Sequence, residues 1–244
     1  MPRFFADKNN ISENHIIIDG SDAKHIGRSL RMKIGDELIL CCDKIDYTTK
    51  ILSISDTEIN CEILSKSPIC SEADIVLTLY QAIPKLDKLE LITQKAVELG
   101  VSKIVPVITK RCISRPDRKS FAKKNERLNK ISLEAAKQSG RGIIPEISDI
   151  IDFKTAVSNL ASHDFSFVCY EKGGVPFSSI INPSDFKDKS IGLFIGSEGG
   201  FDESEIKACE SLGIKTTSMG KRILRCETAP ISAISIIMAL SGNM

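Results

Sequence analysis

The chain has 244 residues, of which 42% are hydrophobic and 27% are charged, with a formal net charge of +1. These values are typical of an ordinary soluble protein of one large or two modest domains. It contains no run of about 18 apolar residues, the length needed to span a bilayer. Four early residues interrupt any signal-peptide pattern: Pro2, Arg3, Asp7 and Lys8. We therefore expect a cytoplasmic protein with no membrane partner.

The net charge hides an uneven distribution along the chain. Residues 73–142 contain 15 basic and 7 acidic residues, whereas acidic residues are in excess on both sides. Most of this excess lies in a basic segment, residues 109–130, which contains Lys110, Arg111, Arg115, Arg118, Lys119, Lys123, Lys124, Arg127 and Lys130. Such a segment is typical of a solvated surface. If the segment lies beside a ligand site, however, binding to an RNA backbone explains its charge better than a solvated surface does.

Two patterns of secondary structure divide the chain. Residues 1 to about 72 show short alternating strands, such as 37–40 and 50–54, which predict a small β-barrel. From residue 73 onward, predicted strands at 75–80 and 104–107 alternate with helices. The first of these helices has an apolar stripe formed by Leu86, Leu89, Ile92, Ala96 and Leu99. This second pattern predicts an α/β domain with a largely parallel sheet.

A first glycine loop, residues 194–201, follows a strand predicted at 191–195. Three glycines allow a positive φ and a close approach of ligand to backbone: Gly196, Gly199 and Gly200. The acidic residues that follow suit the first turn of a helix: Asp202, Glu203 and Glu205. The alternative is a tight turn between strand and helix that binds no ligand.

A second glycine loop, residues 219–229, follows a strand predicted at 214–219. It carries Lys221, Arg222, Arg225 and Glu227. Thr228 is then predicted to cap a helix whose residues 231–240 are apolar almost all round, so that the helix is buried. Both loops follow strands of a parallel sheet and should meet at one edge of it. The pair therefore predicts a cofactor pocket.

Spacing alone disfavours the commonest nucleotide cofactors. A dinucleotide site requires an acidic residue at the end of the next strand, where this chain has Ser218, Met219 and Gly220. The Gly-x-x-x-x-Gly-Lys-Ser/Thr pattern of a phosphate-binding loop is also missing from the sequence. The eight cysteines include no Cys-x-x-Cys pair, which favours reduced, mostly buried packing residues over a metal site.

The two loops resemble those of the bacterial small-subunit ribosomal RNA uridine-N3 methyltransferases of the SPOUT superfamily. That family reads Gly-Pro-Glu-Gly-Gly and, further on, Leu-Gly-x-Arg-Ile-Leu-Arg-x-Glu-Thr-Ala. Residues 196–200 read Gly-Ser-Glu-Gly-Gly, and residues 219–229 read Met-Gly-Lys-Arg-Ile-Leu-Arg-Cys-Glu-Thr-Ala. Further matches extend the resemblance over nearly the whole chain: 1–5, 25–31, 95–100 and 134–141. Ser197 departs from the family's proline, which leaves the turn less rigid, and Met219 replaces its leucine.

The resemblance implies a fold, a cofactor and a substrate. Residues 1–72 would form a PUA-like RNA-binding β-barrel, and residues 73–244 a SPOUT α/β domain with a C-terminal trefoil knot around 194–240. The protein would be a homodimer that uses S-adenosylmethionine to methylate N3 of a uridine in 16S ribosomal RNA or the small ribosomal subunit. No metal is implied. Alternatives are a SPOUT enzyme for transfer RNA or a ribose 2′-hydroxyl, and a catalytically silent RNA-binding assembly factor.

The resemblance also assigns residues to roles. The cofactor would lie against Ile195, Gly196, Gly200, Met219, Gly220, Ile223, Leu224 and Thr228. Arg225 would stabilise the negative charge that develops on the uracil carbonyls, or else bind a phosphate. Glu198 or Glu227 would accept the N3 proton directly or through water, or would instead cap backbone N–H groups and hold the loop, the role we favour for Glu227. The RNA-binding candidates are Arg3, Arg28, Arg31, Arg111, Arg115, Arg118, Lys123, Lys124 and Arg141.

Overall fold

The structure is a computed structural model that describes residues 1–55, 57–179 and 185–244. The chain divides into two compact units. The first contains residues 1–72 together with residues 136–143, and the second contains residues 73–135 and 144–244. The short segment 136–143 thus belongs with the N-terminal residues, although it is remote from them in the sequence.

The first unit is built on one five-stranded sheet. Its strands are β1 Arg3–Phe5, β2 His15–Asp19, β3 Glu37–Cys42, β4 Ile45–Ile54 and β5 Glu58–Pro68, in the order β1-β3-β4-β5-β2. The pair β1 and β3 is parallel, and the other pairs are antiparallel. A short helix α1, Gly20–Lys24, continues into a π-helical turn, His25–Ser29. The strands predicted at 37–40 and 50–54 lie within β3 and β4, but β4 and β5 are longer than predicted, at 10 and 11 residues.

A buried ion pair ties residues 136–143 into the first unit. Arg141 donates to both carboxylate oxygens of Glu72, at 2.9 Å each, and its side chain is only 3% exposed. The backbone N–H of Gly142 donates to the same carboxylate at 2.6 Å. Burial opposes ionisation of Glu72. Hydrogen bonds from Arg141 and from the backbone N–H groups of Gly142 and Ile143 outweigh this effect and hold the pKa of Glu72 below its usual value.

The second unit contains a parallel sheet of eight strands. These are β6 Val76–Ala82, β7 Lys103–Ile108, β8 Glu146–Ile147, β9 Ile151–Asp152, β10 Phe165–Cys169, β11 Val175–Pro176, β12 Ser190–Ile195 and β13 Lys215–Ser218. The order is β11-β13-β10-β12-β6-β7-β8, with β9 also paired to β7. The described pairings are parallel, as the alternation of strands and helices predicts.

Helices cover both faces of this sheet. They are α2 Lys88–Glu98, α3 Arg118–Gln138, α4 Phe153–Leu160, α5 Glu203–Ser211 and α6 Thr228–Leu240. Apolar residues of α2 and α6 pack in one cluster, and those of α4 and α5 pack in another. Leu193 of β12 lies in the first cluster and its neighbour Phe194 in the second. A strand buried on both faces explains why β12 is apolar at consecutive positions.

Two local predictions about the helices are wrong. Leu86 does not belong to the buried stripe of α2, because it precedes the helix with a φ of 55° and is 80% exposed. Thr228 does not cap α6 but is its first residue. The N-cap position is occupied by Glu227, whose side chain makes no capping hydrogen bond. Asp202, by contrast, caps α5 in a reciprocal capping box with Glu205.

Candidate active site

The two glycine loops line one cavity of about 540 Å³. It opens where β10, β12 and β13 end, which is the edge of a parallel sheet that commonly binds ligands. Most of the predicted cofactor residues line it: Ile195, Gly196, Gly200, Met219, Gly220, Ile223 and Leu224. Thr228 is not among the lining residues, although its neighbour Ala229 is. The carboxylate of Glu171, which sequence reasoning did not single out, also reaches the cavity.

The first glycine loop is closely packed. Gly200 has a φ of 65°, and a Cβ there would lie 2.9 Å from a carboxylate oxygen of Glu171. A Cβ on Gly196 would lie 3.2 Å from the backbone of Gly200. Positive φ is thus required at Gly200, whereas Gly196 is needed for close approach of backbone to backbone.

Residues from the start of the basic segment hold the first glycine loop and the helix that follows it. Arg111 donates to the carbonyl of Gly199 at 3.1 Å, and the backbone N–H of Lys110 donates to Glu205 at 2.8 Å. Arg115 donates to the carbonyls of Cys112 and Thr109, at 3.0 and 3.3 Å, and to that of Lys110. These contacts indicate that Arg111 and Arg115 hold loops within the protein, and they argue against the predicted contact of these two residues with RNA.

Lys88, at the start of α2, connects the two glycine loops. Its ammonium lies 3.0 Å from Glu198 in the first loop and 3.3 Å from Glu227 in the second. Glu198 also accepts the backbone N–H of Lys85 at 3.1 Å. Burial opposes ionisation of Glu198, but hydrogen bonds from backbone N–H groups and from Lys88 prevail and lower the pKa of Glu198.

Glu227 makes no capping hydrogen bond at the start of α6. Its carboxylate instead pairs with Lys88 and accepts the thiol of Cys226 at 3.2 Å, contacts that favour the predicted role of holding the loop. Sequence reasoning missed Lys88 altogether. It belongs to no motif, and the only available signal is that it follows β6, a strand adjacent to β12 in the sheet.

Arg225 lines the cavity and is exposed. Its backbone carbonyl accepts the N–H groups of Thr228 and Ala229, at 2.9 Å each, and so begins the turn into α6. Within the described residues, its guanidinium has no hydrogen bond or ion pair. The nearby Ile223 is 83% exposed, although it is apolar. The structure therefore presents an unpaired cation at the rim of the cavity.

The remaining seven RNA-binding candidates differ in how far their side chains are already engaged within the protein. Arg3 is 8% exposed and pairs with Asp46 at 2.8 Å, and Arg141 is buried against Glu72. These pairings favour a structural role for both arginines over the predicted RNA contact. Lys124 donates to the carbonyl of Leu86 at 3.0 Å. The other four side chains lie on the surface: Arg28, Arg31, Arg118 and Lys123.

Across residues 1–55, 57–179 and 185–244, no group of three or more His, Cys, Asp or Glu side chains is arranged to hold a metal ion. The same residues include no helix that is both long and apolar enough to cross a membrane. The cysteines are unpaired, and seven of the eight are buried, as the sequence predicts.

Comparison with known proteins decides the family. A family model described as RNA methyltransferase domain matches residues 71–238, and one described as RNA methyltransferase PUA domain matches residues 18–64. The ribosomal RNA small subunit methyltransferase E of Bacillus subtilis is 34% identical over 225 residues, covering 90% of this chain and 88% of that protein. The chain belongs to this methyltransferase family. The resemblance found in the sequence is confirmed.

Other family members match over almost their full length. The ribosomal RNA small subunit methyltransferase E of Mesomycoplasma hyopneumoniae is 33% identical, with 95% of this chain and 96% of that protein covered. A crystal structure of the Neisseria gonorrhoeae enzyme bound to S-adenosyl methionine matches with a TM-score of 0.88 and 30% identity, over 98% of each chain. Membership confirms the mixed α/β fold with a PUA domain.

Proposed function

We propose that this protein transfers the methyl group of S-adenosylmethionine to N3 of a uridine in 16S ribosomal RNA. The observation that carries this proposal is the meeting of two glycine loops around one cavity, with the unpaired Arg225 at its rim. The names of the relatives, ribosomal RNA small subunit methyltransferase E, support the choice of ribosomal RNA.

The cavity suits the proposed cofactor. Its volume of about 540 Å³ lies within the range of small-molecule sites. Apolar walls from Ile195 and Leu224 and exposed backbone at the glycines would hold the adenosine part, and Glu171 supplies a carboxylate for its hydroxyl or ammonium groups. The bound cofactor supplies an electrophilic methyl group on a sulfonium.

The protein's part is to align the uridine and to assist loss of the N3 proton. Negative charge left on N3 spreads to O2 and O4 of the uracil, and the guanidinium of Arg225 would stabilise it. Glu198 is committed to Lys88 and to the N–H of Lys85, and its pKa is lowered. These contacts favour a role for Glu198 in holding the first glycine loop. They disfavour a role for Glu198 as the acceptor of the N3 proton.

The same proposal includes the assembly and the domains. Residues 1–72 would form the RNA-binding domain, and residues 73–244 the SPOUT domain with a trefoil knot around 194–240. The protein would act as a cytoplasmic homodimer. Helix α6 supports the dimer, because it is apolar almost all round while several of its apolar residues, such as Ile231 and Ile236, are only partly buried. Sedimentation near twice 26.8 kDa is expected, and an active monomer would contradict it.

Cofactor binding and the modified nucleoside test the activity. S-adenosylmethionine at a hundred times its Kd should raise the free energy of unfolding by about 2.7 kcal/mol, while NAD and ATP should not. Mass mapping of ribosomal RNA from cells that lack the gene should show the loss of one N3-methyluridine from 16S RNA. Stabilisation by NAD or ATP instead of S-adenosylmethionine would reject the methyltransferase. An altered transfer RNA or ribose would select another substrate.

A further inference from the structure

Lys88, a residue of neither loop, connects the two glycine loops. Its ammonium lies 3.0 Å from Glu198 and 3.3 Å from Glu227. These carboxylates are partly buried, with 28% and 18% of their side chains exposed. Lys88 itself lines the cavity. One cation therefore bridges one carboxylate from each of the two glycine loops.

We propose, on the basis of the function proposed above, that Lys88 is a positioning residue for cofactor binding. By pairing with Glu198 and Glu227 together, it holds the two glycine loops at the separation that the cofactor requires. Without the ammonium, two carboxylates that share one small site would repel each other, and the walls they belong to would move apart.

The charges around Lys88 support a fixed role for it. Its pKa is raised, first by the hydrogen bond to Glu198 and also by Glu227, so that it remains an ammonium at neutral pH and does not accept a proton. Burial raises the pKa of the adjacent Cys226 to about 12, which keeps that thiol neutral. The other charged groups that line the cavity are Glu171, Arg222 and Arg225.

The first test measures the affinity for S-adenosylmethionine by titration calorimetry at pH 8. Lys88→Met should weaken binding on the order of tenfold, the scale of coupling within one ion-pair network. Lys88→Arg should keep most of the affinity. The matched control is Lys95→Met, which removes a 2.8 Å ion pair to Glu98 on the same helix but does not line the cavity. This control should bind like the wild type.

Two further measurements separate charge from packing. Lowering the pH from about 8 to about 5.5 should restore part of the affinity of Lys88→Met, because one of the two unpaired carboxyls takes up a proton. The wild type should change much less. Adding Glu227→Gln to Lys88→Met should restore affinity even at pH 8, because only one carboxylate then remains. Lys88→Gln replaces Lys88→Met in every comparison if the methionine variant does not fold.

The outcomes are distinguishable. If the wild type does not bind S-adenosylmethionine, the proposed function fails and this inference fails with it. If the wild type binds but Lys88→Met binds equally well, only the inference is overturned. It is also overturned if the variant is weak at every pH and Glu227→Gln gives no recovery, since Lys88 then acts through packing alone.

Discussion

The two glycine loops line the same cavity but are held very differently. Arg111 binds a carbonyl of the first loop, Lys85 and Lys88 bind Glu198 within it, and Asp202 caps the helix that follows it. In the second loop three neighbouring side chains are exposed: Lys221, Arg222 and Ile223. Among the described residues, neither of these two cations has a hydrogen bond or an ion pair.

The difference shows how one site combines a rigid wall with an open one. The first loop is preorganised, so that little ordering is left to be done when a ligand binds against it. The second loop presents exposed cations and an apolar side chain, groups that remain available to RNA or to a second copy of the chain. Substitutions in the first loop should therefore differ in effect from similar substitutions in the second.

The largest expected effect comes from valine at a glycine with positive φ. Gly200→Val should lower the free energy of unfolding by roughly 2–3 kcal/mol, mainly because φ is strained, with a smaller cost for displacing the exposed carboxylate of Glu171. Gly220→Val has the same strain at a φ of 105° but no atom within 4 Å, so about 1–2 kcal/mol is expected. Denaturant unfolding without cofactor measures both, and equal losses would show that the loops are packed alike.

Arg225→Ala tests the open wall. Single-turnover methylation at saturating RNA and cofactor should fall on the order of 100-fold, the scale for loss of one group that stabilises developing charge. Arg225→Lys should recover only part of this rate, because an ammonium lacks the planar fork of a guanidinium. Arg222→Ala, which removes another unpaired cation from the same loop, is the matched control and should have a smaller effect.

A wild-type rate for Arg225→Ala, combined with weaker RNA binding, would assign Arg225 to a phosphate and leave the stabilising group unidentified.

The basic segment, residues 109–130, contains both side chains that hold the first glycine loop and exposed side chains that are available to RNA. Reversing the exposed Arg118 and Lys123 to glutamate should weaken RNA binding and reduce the salt slope by roughly 0.7–0.9 per lost contact, with cofactor affinity unchanged. Arg111→Ala should instead weaken cofactor binding, because Arg111 holds Gly199. Salt titrations of RNA binding give the slopes. A slope that does not change would return the segment to an ordinary solvated surface.

The smallest expected effect is the loss of stability at low pH through protonation of Asp202, which caps α5. Hydrogen bonds from the side chain and backbone of Ser204 lower the pKa of Asp202 below its ordinary value of 3.8. Its contribution to stability is therefore fully present above pH 3.8 and is lost as the pH falls through the lower folded value. Asp202→Asn keeps a capping oxygen but no charge, so it should be slightly less stable than the wild type at pH 7. A difference that persists unchanged at about pH 2.5 would contradict this assignment.

The sequence predicts most of the second unit because its signals are local. The strands that became β6, β7 and β12 are short, mainly apolar runs, and the parallel sheet follows from their alternation with helices. The errors are also local. Leu86 has the spacing of a helical stripe, but its positive φ places it before the helix. The identity of a helix N-cap depends on where the backbone turns, and Glu227 occupies that place instead of Thr228.

By itself, the sequence determined the family, the two glycine loops and most of the loop residues that line the cavity, because each depends on residues close together in the chain. Only the tertiary structure decided which charged groups are available. Arg111 meets Gly199 across 88 positions, and Arg141 meets Glu72 across 69. Lys88 joins both loops from a helix outside them. Periodicity identifies which residues share one face of an element, but an ion pair depends on which elements pack together, and that is decided by the fold.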